Sequence, residues 1–272
     1  MVFFSQLERG VFIGVEWFIG VWKWGNGVWK WGNGKNTEIF YNFEILKMKQ
    51  MKKLTLLFSL SLMIALTANA QEGQTPPGKT ITIATTMGNI RVLLYDETPK
   101  HQENMLKLID EGYYNGQMFH RVIENFMIQG GDPHSVNAQR GQRLGTGGPG
   151  YTIEAEFSPT LFHKKGALSA ARQGDNVNPE QRSSGSQFYI VKGQVFTIEQ
   201  LNGMVKSGRC APLTTTQINA YTTIGGTPHL DGAYTVFGEV IEGLEIVDQI
   251  TFEPTDSYDR PLQNITYTIT ID

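Results

Sequence analysis

The sequence FHRVIENFMIQGGD, residues 119–132, is the densest group of chemically informative residues in the chain. Alternate residues of a β-strand face opposite sides, so Arg121 shares one face with Phe119 and Ile123. An arginine between apolar neighbours needs an explanation, because a charged side chain is rarely buried without a partner. One interpretation is structural: Arg121 pairs with a carboxylate at the rim of a barrel, and the aromatic rings form the core. The other gives Arg121 a chemical role.

The segments around this stretch are mostly predicted strands. Residues 80–84 and 90–94 alternate polar and apolar side chains around a Gly88-Asn89 turn, which predicts a β-hairpin. Thr98-Pro99 begins a predicted helix that ends at Gly112. The other predicted elements are short strands near 118–123, 126–130, 151–157, 166–171, 186–192, 234–240 and 265–271, and a short helix at 244–250. This β-dominated pattern with two helices suits a barrel or a sandwich.

Residues 193–228 interrupt the strand pattern. A capping box formed by Thr197 and Gln200 precedes apolar residues at helical spacing, and a Thr-rich stretch then leads into Gly225-Gly226. We interpret this segment as a helical insertion between two strands, which either forms a lid or decorates a loop.

Charge and cysteine content narrow the function classes. The 272 residues carry 23 Lys+Arg and 26 Asp+Glu, a formal net charge of −3. Residues 71–272 hold 15 basic and 22 acidic residues, opposite to the balance of most nucleic-acid binders, so no nucleic-acid partner is expected. Cys210 is the single cysteine and leaves no internal disulfide, although it can stay a free thiol or form an intermolecular bridge.

Residues 51–70 have the layout of a secretory signal peptide. Met51-Lys52-Lys53 precedes an apolar run from Leu54 to Leu66, and small residues follow up to Ala70. The run is shorter than the roughly 20 apolar residues of a transmembrane helix. We therefore expect cleavage after Ala70, no stable membrane anchor, and a periplasmic or secreted domain at residues 71–272.

Residues 1–50 precede this leader and contain a tandem repeat, VWKWGNG at 21–27 and again at 28–34. Because a signal peptide works at the N-terminus, we interpret residues 1–50 as an untranslated or mis-assigned extension, with translation starting at Met48 or Met51. The alternative is a Trp/Lys-rich segment that lies on a membrane surface.

Several familiar motifs are rejected by their context. GQTPPGKT at 73–80 has the spacing of a phosphate-binding loop, but a predicted strand follows where a helix is needed, and its prolines remove amide donors. The five histidines and the single cysteine show no metal-ligand spacing, and no G-x-S-x-G elbow is present. We expect no metal, no cofactor and no nucleophile-based hydrolase.

The stretch at 119–132 resembles the signature of the cyclophilins, the cyclosporin-binding family of peptidyl-prolyl cis-trans isomerases. Further blocks follow in the family's order: GTGG at 145–148, GALSAAR at 166–172, SGSQFYI at 184–190, HLDG at 229–232 and VFG at 236–238. The similarity runs from about residue 80 to 271, with the 193–228 insertion inside it.

The resemblance implies a mainly β fold, a closed eight-stranded antiparallel β-barrel capped by two α-helices. It also implies isomerisation of X-Pro bonds in exported proteins, which assists their folding. Rotation about such a bond has a barrier of about 18–20 kcal/mol but makes and breaks no covalent bond, so no cofactor is needed. The expected partners are proline-containing, unfolded or partly folded polypeptides, bound by a monomer.

By position in the family's motifs, the resemblance implies that Arg121 is the catalytic residue. The implied substrate-binding residues are an apolar pocket for the proline ring (Phe126, Met127, Tyr189 and Leu230), Gln129 beside the arginine, and the surrounding Gly145, Ala171, Arg172, Gln187, His229 and Tyr234.

The chain departs from the common family pattern at several of these positions. His229 stands where many relatives have tryptophan, and we expect weak cyclosporin inhibition from this change. Tyr189 replaces the commoner phenylalanine, Arg172 replaces the commoner asparagine, and Tyr234 replaces the commoner histidine. We expect these three changes to affect substrate preference. The alternative function is a non-catalytic chaperone or proline-peptide binding module on the same fold, in which His229, Arg172 or the insertion has abolished turnover.

Overall fold

The computed structural model describes residues 22–25, 28–31 and 78–272. The signal peptide predicted at 51–70 lies outside the described residues, as does most of the 1–50 extension. Trp22–Gly25 (β1) and Val28–Trp31 (β2) pair as an antiparallel two-stranded sheet, so each copy of the repeat contributes a strand. This pair belongs to the compact unit Met1–Gln74, whereas all other described elements belong to Thr75–Asp272.

The second unit is built on one antiparallel sheet of nine strands. In chain order these are β3 (Gly78–Thr85), β4 (Gly88–Tyr95), β5 (Gln117–Met118), β6 (Arg121–Ile123), β7 (Met127–Gly130), β9 (Ala167–Ala170), β11 (Phe188–Val191), β12 (Val236–Glu242) and β13 (Thr266–Ile271). Their spatial order is β5-β13-β3-β4-β12-β9-β11-β7-β6. The short strands β8 (Thr152–Ile153) and β10 (Ser183–Ser184) pair separately.

The strands at the two ends of this order are consecutive in the chain, because only Phe119 and His120 separate β5 from β6. The Phe119 N–H donates to the Ile265 carbonyl at 3.1 Å, and the His120 N–H donates to the Gln129 carbonyl at 3.0 Å. Residues 117–123 thus contact both ends of a curled sheet. The predicted mainly β, antiparallel fold is confirmed; complete closure into an eight-stranded barrel stays a prediction that this pairing favours.

The two helices predicted outside the insertion are confirmed as α1 (Pro99–Asp110) and, after the insertion, α4 (Leu244–Thr251). Both bury an apolar face against the main core, in which Leu108 of α1 and Ile250 of α4 are at most 1% exposed. Burying such a side chain contributes about 1.5–3 kcal/mol. The helices therefore hold the curled sheet from its inner side and leave the outer face of β6, β7 and β11 available.

The insertion contains two helices, α2 (Ile198–Lys206) and α3 (Thr215–Thr223). The predicted capping box is present, since the Gln200 N–H donates to Thr197 Oγ1 at 3.2 Å and the Thr197 N–H to Gln200 Oε1 at 2.8 Å. The helix α3 was not predicted from the sequence; it begins with a second such box between Thr214 and Gln217. No helix in the described residues is long and apolar enough to cross a membrane.

Candidate active site

Three of the predicted site residues form a row across neighbouring strands. Arg121 on β6 lies opposite Gln129 on β7, which in turn lies opposite Tyr189 on β11. Directly opposed residues in antiparallel strands point to the same side of the sheet. Met127 has the same strand parity as Gln129, so it shares this face. The sheet pairing therefore brings the arginine, the amide and the apolar residues together.

Arg121 is held by two contacts and remains accessible. Its Nη1 donates to Gln129 Oε1 at 3.4 Å, and its Nε lies 3.5 Å from Asp259 Oδ2. The Asp259 backbone is fixed beside β6 because its carbonyl accepts from the Val122 N–H at 2.7 Å. The Arg121 side chain is still 42% exposed. The rim carboxylate of the structural interpretation thus exists, and the guanidinium keeps a face that a ligand can reach.

A relay of amide groups orients Gln129. Its Nε2 donates to Gln187 Oε1 at 3.1 Å, which leaves its own Oε1 facing Arg121. The Nε2 of Gln187 is fixed in turn by the carbonyls of Gly145 at 3.0 Å and Gly147 at 2.8 Å. Each amide has its own hydrogen-bond partners, so the position of the arginine is set through two linked side chains and one turn.

The turn at Gly145–Gly147 is anchored by Asp132, for which the sequence predicted no role. Asp132 is fully buried, and its carboxylate accepts from the backbone N–H groups of Gly145 and His134. Gly145 has φ +96°, and a Cβ at Gly147 would lie 2.1 Å from Asp132 Oδ1. Glycine is therefore required at both positions for the turn to reach Gln187.

The predicted proline pocket forms a second apolar cluster on this outer face. Met127, Tyr189 and Leu230 belong to its buried part and are 1%, 4% and 9% exposed. The half-buried members packed against them include Phe126, Ala171 and Tyr234. The Phe126 ring stacks on His229 with ring centres 5.9 Å apart. All the apolar residues implied by the resemblance are thus part of one cluster or contact its edge.

Arg172 and Tyr234, two of the departures from the family pattern, contact each other. The Arg172 guanidinium lies 4.5 Å from the centre of the Tyr234 ring, its Nε donates to the Ala233 carbonyl at 2.7 Å, and its Nη1 to Asp175 Oδ1 at 2.6 Å. Only 4% of the Arg172 side chain is exposed. Its charged group is therefore engaged within the domain and fixes the Ala233–Tyr234 turn beside the pocket.

A buried network links the pocket to the insertion, and the sequence analysis missed it. His163 donates to Asp231 Oδ1 from its backbone N and from Nδ1, both at 2.9 Å. Its Nε2 lies 3.0 Å from the hydroxyl of Tyr189. Asp231 Oδ2 accepts from Tyr221 at 2.6 Å and from Gln217 at 3.0 Å, both on α3. The hydroxyl that distinguishes Tyr189 from phenylalanine thus connects the pocket to the insertion.

The histidines next to the site are kept neutral near pH 7. Burial lowers the pKa of His120 to about 4, against the opposing attraction of Asp132. Burial, and then the charge of Arg209, also lower the pKa of His229. Neither of the His120 ring nitrogens has a hydrogen-bond partner in the described residues, where no cluster of three metal-ligating side chains occurs either. Among the predicted site residues, Arg121 therefore supplies the accessible positive charge, because the guanidinium of Arg172 is buried and already paired.

Comparison with known proteins agrees with this arrangement. The family described as cyclophilin type peptidyl-prolyl cis-trans isomerase/CLD matches residues 80–270, most of the chain. The chain belongs to this family. As a cyclophilin-type protein, it is a peptidyl-prolyl cis-trans isomerase.

Individual relatives carry the same description. A putative peptidyl-prolyl cis-trans isomerase of Staphylococcus saprophyticus is 40% identical over 177 residues, covering 64% of this chain and 81% of that protein. A putative bifunctional phosphatase/peptidyl-prolyl cis-trans isomerase of Streptococcus pyogenes is 37% identical over 194 residues, which is 69% of this chain but 37% of the relative. The chain therefore spans little more than a third of that bifunctional protein.

A solved structure also matches this cyclophilin. The crystal structure of a cyclophilin-type isomerase of Cryptosporidium parvum has a TM-score of 0.51 and 26% identity, and covers 72% of this chain and 98% of that one. The same protein was crystallised in the presence of the dipeptide Ala-Pro.

Proposed function

We propose that this cyclophilin isomerises X-Pro bonds in exported polypeptides and thereby assists their folding. The observation that carries the proposal is the row of Arg121, Gln129 and Tyr189 beside the apolar cluster. A fixed apolar site and an exposed cation next to each other suit a proline ring and the amide that precedes it. The Ala-Pro dipeptide used with the Cryptosporidium protein supports the same ligand class.

In this mechanism the proline ring rests on Met127, Tyr189 and Leu230, and Phe126 closes one side. The residue before proline lies towards Ala171, Gln187 and the Gly145 turn, as the family resemblance implies. The carbonyl group that precedes proline can then rotate about the C–N bond while the proline ring stays in place. Gln129 and the amide relay hold the guanidinium of Arg121 over the bond.

Arg121 lowers the rotational barrier by binding the twisted amide more tightly than either planar isomer. Twisting removes the resonance of the amide and leaves a lone pair on the prolyl nitrogen, which the guanidinium can approach as a charge-assisted donor. Lysine lacks this planar group of donors. Because no covalent bond changes, the site needs no nucleophile and no proton transfer.

The export part of the proposal is supported by residues 51–70, which have the sequence of a cleavable leader. Slow X-Pro isomerisation limits the folding of many proteins and takes about 10–100 s at 25 °C. An isomerase that is exported like its substrate proteins would shorten their slow folding step. Fractionation of the producing cells, with mass spectrometry of the native N-terminus, tests this part: Gln71 as first residue supports export, and an uncleaved cytoplasmic chain contradicts it.

The catalytic part is tested by NMR exchange spectroscopy on an Ala-Pro peptide with catalytic amounts of protein. Cis-trans exchange that accelerates in proportion to enzyme concentration supports the isomerase. The non-catalytic binding module predicts peptide chemical-shift changes without faster exchange. Refolding of an exported protein with a slow proline phase then tests folding assistance, and an unchanged slow phase would contradict it.

A further inference from the structure

The insertion forms a groove that continues from the edge of the proline pocket. A cavity of about 130 Å³ lies between Phe126 and His229 on the pocket side and Phe196, Met204 and Arg209 on the insertion side. An adjoining cavity of about 290 Å³ shares Phe196, Met204 and Arg209 and extends along α2. We call these two cavities together the insertion groove.

The groove is built from fixed backbone. Gln194 and Gly226 exchange backbone hydrogen bonds at 3.2 and 3.1 Å, and the Phe196 N–H donates to the Tyr221 carbonyl at 2.9 Å. Tyr221 is itself held by Asp231 at 2.6 Å. The insertion side of the groove is therefore joined to the residues that position the proline pocket.

The lining has one charged side chain and one buried polar group, and neither has a partner among the described residues. Arg209 is exposed, and no carboxylate of the described residues lies within 4.0 Å of its guanidinium. It is the only lining side chain that is charged at neutral pH, because the pKa of His229 is lowered. The Thr227 hydroxyl, in a residue only 2% exposed, also has no hydrogen-bond partner in the part of the chain that the structure describes. An apolar floor beside a cation that no described carboxylate pairs with matches an extended peptide with an acidic side chain.

We propose that the insertion groove is a substrate subsite for the residues that follow proline, and that it selects an acidic side chain through Arg209. The inference rests on the proposed isomerase function and deepens it. The direction rests on the proposed binding mode: with the residues before proline towards Gln187 and Gly145, those after it leave past Phe126 and His229. The methylene groups of a glutamate would cover Phe196 and Met204, and its carboxylate would reach Arg209.

The test compares two peptides, Ala-Ala-Pro-Glu-Ala and Ala-Ala-Pro-Gln-Ala, which differ by one charge. Values of kcat/KM are measured by NMR exchange for the complete protein. Since an exposed ion pair contributes up to about 1 kcal/mol, we expect a preference of about two- to fivefold for glutamate. The Arg209→Gln variant should bring the ratio close to unity. The Lys206→Gln variant removes the same charge from the same insertion without touching the groove lining, and should keep the wild-type ratio.

The possible outcomes distinguish a failure of the subsite proposal from a failure of the proposed isomerase function. Equal rates for both peptides in the wild-type protein would overturn the subsite and leave the isomerase standing. Equal losses of preference in the Arg209 and Lys206 variants would also overturn it, because they indicate general charge attraction. A glutamate preference in the corresponding pair with Glu or Gln before proline, and none in the pair above, would contradict the proposed direction. Failure to accelerate either peptide would count against the proposed function instead.

Discussion

Replacing Asp231 with asparagine removes the acceptor that joins the insertion to the pocket. The carboxylate accepts from two N–H groups of His163 and from the side chains of Gln217 and Tyr221. An asparagine oxygen can serve one of these pairs, but its NH2 group then faces the donors of the other pair. The change keeps the side-chain volume and alters only the hydrogen-bonding chemistry.

The expected cost is about 3 kcal/mol, the lower end of the range for two lost hydrogen bonds to a charged group at about 1.5–3 kcal/mol each. For a domain of this size, each kcal/mol lowers Tm by about 2–4 °C, so we expect a decrease of roughly 6–12 °C. Thermal and urea unfolding followed by circular dichroism measure both quantities.

The Asp175→Asn variant is the matched control. Asp175 is also paired with a cation, Arg172, but its side chain is 69% exposed. The same chemical change should cost about 1 kcal/mol or less there, because water replaces the lost contact. If Asp231→Asn were no more destabilising than Asp175→Asn, the network would not hold the insertion in place and the reasoning would be wrong.

Three further predictions concern the site and the residues next to it. Tyr189→Phe removes the hydroxyl beside His163 and should lower the free energy of unfolding by about 1 kcal/mol in urea titrations; an unchanged midpoint would contradict this. The rate kcat/KM should stay nearly flat from about pH 6 to 9, because the lowered pKa values of His120 and His229 place any inflection on the acidic side of the usual histidine value. The free energy of unfolding should instead decrease as the pH is lowered from about 6.5. The unfolded chain then protonates His120, whereas the folded chain keeps this buried side chain neutral down to its lowered pKa of about 4. A bell-shaped rate profile centred near neutrality would contradict the proton-free mechanism.

Local sequence patterns predicted the elements that depend on near neighbours. The β3–β4 hairpin was predicted, but its turn is formed by Thr86 and Met87, and Gly88-Asn89 is the start of β4. Pro99 begins α1, and the box of Thr197 and Gln200 begins α2, as predicted. In contrast, α3 has a run of threonines with weak helix propensity, and its stability comes from tertiary contacts of Tyr221 and Gln217 with Asp231.

The candidate site was predictable only in part. Motif order identified Arg121 and the apolar pocket, and strand pairing placed them together. The partners of these residues could not be found by spacing, because Asp231 is 68 residues from His163, and Asp259 approaches Arg121 from a different loop. Such contacts depend on how the sheet curls, which no local pattern encodes. The contact between the Arg172 guanidinium and the Tyr234 ring could not be predicted from the sequence for the same reason.

The central claim is that Arg121 lowers the rotational barrier of the X-Pro bond. The most direct measurement is kcat/KM on an Ala-Pro peptide for the wild-type protein, Arg121→Ala and the control Arg140→Ala, which removes an exposed arginine outside the site. Removing a preorganised donor typically costs about 10²–10³ in rate. We predict such a loss for Arg121→Ala with an unchanged circular dichroism spectrum, and wild-type activity for Arg140→Ala. Full activity in folded Arg121→Ala would contradict the account.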